Sequence, residues 1–136
     1  MLRRSVLSGL VGIALVGACG GDSATGPDTV VGTYTLQTIN GQAPPQTLSE
    51  DANGRLEITG ARVLLDADGR FHNEIDVRST SRGVTSAGTL HRFGTYVRTG
   101  TRITVTPAQG GDSYSMALSG RTLSRREQGT TLVYRR

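Results

Sequence analysis

Leu65-Asp66-Ala67-Asp68-Gly69-Arg70-Phe71-His72-Asn73-Glu74-Ile75-Asp76-Val77-Arg78 is the stretch that decides the fold. Phe71, Asn73, Ile75 and Val77 alternate with His72, Glu74, Asp76 and Arg78, the period of two that sends successive side chains to opposite faces of a strand. One face is largely apolar and the other is charged, as in a strand buried on one side only. Asp66-Ala67-Asp68-Gly69 reads as the tight turn before it, with Gly69 supplying a positive φ.

The same grammar extends in both directions. Upstream, Val30, Gly32, Tyr34 and Leu36 share a face, Asn40-Gly41 signals a turn, and Leu56, Ile58, Val63 and Leu65 mark further strand, with a bend at Gly60. Downstream come Leu90, Phe93, Tyr96 and Val97, then Ile103 and Val105, then the clean alternation of Tyr114, Met116 and Leu118. Leu123, and Leu132 with Tyr134, complete the series, separated by turns at Thr99-Gly100, Gly110-Gly111, Ser119-Gly120 and Gln128-Gly129. Residues 79–88 read as a polar loop. No window carries a helical apolar stripe. Eight or nine short strands joined in series by tight turns predict an all-β fold, a small antiparallel up-and-down β-barrel, because closing the sheet removes its open edges.

The N-terminus follows a different rule. Arg3 and Arg4 precede an uncharged run of Val, Leu, Ile, Gly and Ala that ends at Ala18-Cys19, the order of a secretory signal. Its apolar run spans about 20 Å as a helix, short of the roughly 30 Å hydrocarbon core. Residues 20–28 are small, polar and aperiodic, a tether. The expected organisation is a signal peptide over 1–18, a lipidated Cys and flexible linker over 19–29, and a barrel domain over 30–136.

Two resemblances follow from these residues. Val16-Gly17-Ala18-Cys19 resembles the lipobox of bacterial lipoproteins, which implies cleavage between Ala18 and Cys19 and a diacylglyceryl group on the Cys19 thiol. The absence of Asp after Cys19 implies an outer-membrane address in a cell with two membranes, and the chain is expected to be exported and held at the envelope by that lipid. Val31-Gly32-Thr33-Tyr34-Thr35-Leu36 with Ile39-Asn40-Gly41, the 65–71 turn, Gly94-Thr95-Tyr96 and Thr131-Leu132-Val133-Tyr134 are similar to small bacterial lipocalin-like domains. In that group a Gly-x-Trp or Gly-x-Tyr closes one end of the barrel. Here Tyr takes that place and Trp is absent.

Composition narrows the functions. The 136 residues hold 15 basic and 11 acidic side chains, and loss of Arg3 and Arg4 with the signal brings the net charge from +4 to near +2. Mild charge and few aromatics argue against nucleic acid as a partner. One Cys means the fold stands without an internal disulfide. No nucleophile elbow, Walker loop or dinucleotide fingerprint occurs, so no enzyme activity, catalytic residue or cofactor is expected.

His72-x-Glu74-x-Asp76 is the one row with metal-ligand residue types, but on a straight strand it spreads over about 14 Å, too far to close on one ion without help from a neighbouring strand. No metal is expected there. Asp66-x-Asp68-Gly69 lacks the later ligands of a calcium loop.

The expected ligand-facing set, placed in the barrel interior, is Tyr34, Leu36, Phe71, Ile75, Tyr96, Ile103, Tyr114, Met116 and Tyr134. The functional expectation is an envelope lipoprotein whose barrel binds a small apolar or amphipathic molecule. The alternative is a protein-interaction barrel, a hydrolase inhibitor or envelope assembly factor, that makes contact through the loops read at residues 41–51 or 79–88.

Overall fold

A computed structural model describes residues 30–136 of the chain. The signal, the lipidation site at Cys19 and the linker all lie outside the described residues.

Nine strands follow one another: β1 (Gly32–Ile39), β2 (Gln46–Asp51), β3 (Gly54–Leu65), β4 (Arg70–Ser81), β5 (Val84–Thr99), β6 (Arg102–Pro107), β7 (Tyr114–Ser119), β8 (Thr122–Glu127) and β9 (Thr130–Arg135). All neighbours run antiparallel, in the order β1-β9-β8-β7-β6-β5-β4-β3-β2. β1 also pairs with β3, Gly32 against Leu65 and Thr35 against Arg62, and this seam closes eight strands into a barrel. β2 is the extra strand. It lies beside the first half of β3, from Gly54 to Ile58, on the edge that β1 occupies further along.

Sequence alternation decides what fills the barrel. Tyr34, Val63, Leu65, Ile103, Val105 and Leu123 are almost wholly shielded from solvent, and Leu36, Phe71, Tyr96, Met116, Leu118 and Tyr134 pack with them. All nine interior positions expected to face a ligand belong to this core or, for Ile75 and Tyr114, pack against it half-buried. The two Gly-Thr-Tyr triplets close the same end. The Tyr34 hydroxyl donates to the Val30 carbonyl at 2.8 Å and the Tyr96 hydroxyl to the Asp66 carbonyl at 2.7 Å. Arg136 adds a lid by donating to the Val31 carbonyl at 2.7 Å.

The polar stretch 79–88 is not a loop. β4 and β5 pair along their whole facing lengths, Arg70 against Thr95 through Ser81 against Val84. The reversal takes only Arg82 and Gly83, at φ of 49° and 79°. Two successive positive φ values make the mirror-image turn whose twist suits a hairpin. Residues 79–88 are polar because this part of the sheet projects past the barrel wall and meets water on both faces. Likewise residues 46–51, expected in a loop, form β2. β2, the start of β3, the end of β4 and the start of β5 thus build a four-stranded extension from one rim.

Candidate functional site

The barrel has a filled end and a hollow one. The starts of β1 and β4 and the ends of β3, β5 and β9 meet at the filled end, around Tyr34 and Leu65. Toward the other end, under the projecting sheet, lies a cavity of about 550 Å³. Its wall is mostly aliphatic: Leu36 and Ile39 from β1, Leu56, Ile58 and Ala61 from β3, Ile75 and Val77 from β4, Leu132 and Tyr134 from β9. Leu48 of β2 and Leu90 of β5, each about half exposed, carry this apolar lining out to the mouth. Volumes of this order hold one small ligand.

Asn73 lies within that wall. It is buried at 3% exposure, and its Oδ1 is a buried side-chain oxygen with no hydrogen-bond partner among the described residues. A buried polar atom without a partner costs about 1–3 kcal/mol, so most are matched. Oδ1 only accepts, so its natural complement is an O–H or N–H brought into the cavity. The alternation Phe71, Asn73, Ile75, Val77 already puts Asn73 indoors. Its missing partner depends on what the other strands bring alongside, and no sequence signal carries that.

Charged groups edge the cavity. Arg125, on β8, bridges to Glu127 at 2.9 Å and lies over the Tyr114 ring, 3.7 Å from its centroid. Arg92 of β5, Arg125 and Glu127 line this cavity and also a second cleft of about 570 Å³, which runs along Phe71, Phe93, Tyr114 and the loop Gln109 to Ser113. The three charged side chains therefore form the partition between the two spaces. Burial pushes the Tyr134 hydroxyl up to about 12, against the pull of Arg125, and raises Tyr114 and Tyr34 in the same sense. All three phenols are neutral at physiological pH.

The expected ligand-facing residues therefore divide. Leu36, Ile75 and Tyr134 line the cavity, and Phe71 and Tyr114 line the second cleft. Tyr34, Tyr96, Ile103 and Met116 line neither; they pack in the filled end, and the hydroxyls of Tyr34 and Tyr96 are already donating to carbonyls. Asn73, Arg92 and Arg125 are the polar members that the sequence does not single out.

A second cluster lies on the outer face. His72 and Glu74 of β4 meet His91 of β5, and a donor atom from each lies within 4.8 Å of the others. Asp76 stays apart, its Oδ1 accepting from the Thr89 hydroxyl at 2.7 Å. The neighbouring strand supplies what the row on β4 lacks.

No known protein-family model matches the chain, and no curated protein shows significant similarity to it.

Proposed function

We propose that this protein is an envelope lipoprotein, anchored through Cys19, whose barrel binds a small amphipathic molecule with an apolar body and a hydrogen-bond donor. The observation that carries the binding role is the aliphatic cavity with the unpartnered Asn73 Oδ1 in its wall. A hydrocarbon body would lie against Leu36, Ile75 and Leu132, removing its apolar surface from water, and a hydroxyl or N–H on the ligand would meet Asn73. Arg92 and Arg125 at the partition suit an anionic end group. The anchor rests on the lipobox resemblance, and a lipid on Cys19 would keep the barrel close to a membrane, within reach of lipid-derived molecules.

Titration with 11-(dansylamino)undecanoic acid, followed by probe emission, tests the binding role. The expected result is a saturable blue-shifted signal that Ala61→Leu, which fills the cavity from β3, weakens about tenfold or more while the sheet circular dichroism is unchanged. A signal equal in both proteins, or none in either, would overturn the reading.

One observation favours a second reading, the protein-interaction barrel. β6 reaches only Gly94 to Thr99 of β5, so on that side residues 84–92 have no strand neighbour among the described residues. Val84 on this edge is 71% exposed. An open edge accepts an added strand from a partner. Val84→Arg would then abolish capture of an envelope partner and leave probe binding intact.

A further inference from the structure

We infer that His72, Glu74 and His91 form a surface binding site for a divalent transition-metal ion of the zinc type, clamping β4 to β5 on the outside of the barrel. The pairing register creates it. Glu74 faces His91 across the β4–β5 ladder and His72 faces Phe93, so the two imidazoles are diagonal neighbours on one face with the carboxylate beside both.

Three atoms converge. His72 Nε2 lies 3.2 Å from His91 Nδ1, and each lies 3.9 Å from Glu74 Oε1. The point equidistant from three atoms at these separations is about 2.1 Å from each, the length of a zinc–nitrogen or zinc–carboxylate bond. The nitrogen–nitrogen separation is close to the roughly 3.3 Å edge of a tetrahedron around such an ion, and the carboxylate oxygen closes that geometry by moving about half an ångström toward the two nitrogens. Two imidazoles and one carboxylate are the donor set of a borderline divalent ion rather than of calcium or magnesium.

The surroundings hold the three donors in place. Arg62 of β3 binds the other carboxylate oxygen, Oε2, at 2.5 Å, which orients Oε1 toward the imidazoles. The Phe93 ring stacks on His72 with centroids 4.4 Å apart, fixing that ring's plane. Glu74 is 18% exposed and His91 48%, so the open fourth position faces water on the β5 side. Without an ion, the two ring nitrogens share one proton in their hydrogen bond. An ion takes the place of that proton, with a lone pair from each of the two facing nitrogens directed at it.

Isothermal titration of the full chain with zinc chloride at pH 7.5, in a Cys19→Ser background that removes the only thiol, tests the assignment. One ion per chain is expected, with His91→Ala and Glu74→Gln each weakening the affinity by about tenfold or more and Asp76→Asn leaving it within about twofold. Zinc should also raise the melting temperature of the parent and not of His91→Ala, and cobalt(II) should show the absorption of a low-coordinate site with nitrogen and oxygen ligands. Circular dichroism confirms that each variant keeps its sheet, and if His91→Ala fails that check, His91→Gln replaces it. Absence of binding in the parent, or affinity unchanged in both ligand variants, would overturn the assignment.

Discussion

Asn73 links the stability of the barrel to the proposed binding role in one side chain. Its buried Oδ1 has no hydrogen-bond partner among the described residues, a cost that an apolar side chain of similar size would not carry. Asn73→Leu is therefore expected to stabilise the unliganded protein by about 1 kcal/mol, raising its melting temperature by roughly 5 °C, while weakening ligands that carry a donor. A simple core substitution would not move the two in opposite directions, and paired melting and binding curves separate these cases. Tyr134 makes a second residue-scale prediction. Its folded pKa of about 12 is above the ordinary phenol value of 10, so its contribution to stability is complete below pH 10 and is lost as pH rises toward 12. Tyr134→Phe should flatten the alkaline fall in melting temperature.

At the scale of elements, the β3–β4 pair is tied by Glu57, which accepts from Arg78 Nε at 2.8 Å. That hydrogen bond, helped by Arg55, holds the Glu57 carboxyl below its ordinary value. The stabilisation it gives is present above the ordinary carboxylate range and disappears as pH falls through the lowered folded value, so Glu57→Gln should lessen the slope of an acid melting series. β5 carries a sharper contrast. A Cβ at Gly94 would press into the Thr106 carbonyl oxygen of β6, whereas Gly88 opens onto free space. Gly94→Ala is expected to cost about 2 kcal/mol or more and Gly88→Ala less than about 0.5 kcal/mol, read by denaturant unfolding. The same strand shows what the sequence conceals. Phe71 is legible as an inward residue because its face of β4, shared with Ile75 and Val77, is largely apolar, whereas neither face of β5 is apolar and Tyr96 is marked only by the Gly94-Thr95-Tyr96 triplet that repeats Gly32-Thr33-Tyr34. Residues 79–88 were not legible as strand, because the projecting sheet is wet on both faces and leaves no alternation to read.

For the whole molecule, a small antiparallel barrel of eight or nine strands follows from pattern and turn chemistry, and the structure has nine strands of which the β1–β3 seam closes eight. Which end would be packed and which hollow did not follow. The filled end requires Tyr34, Tyr96, Ile103 and Met116 to converge, and the cavity arises where Leu36, Ala61, Ile75 and Leu132 do not reach across, a matter of distances between strands remote in sequence. The His72, Glu74 and His91 cluster was hidden for the same reason: His91 joins the row on β4 only through the β4–β5 register. The proposed function stands on a ligand in the hollow end. Native mass spectrometry of the processed protein, drawn gently from its own membranes, tests it most directly beside the Ala61→Leu variant prepared in the same way. The expected result is a discrete extra mass on the parent, lost on delipidation and absent from the variant. A bare parent mass, or an extra mass carried equally by the variant, would contradict it.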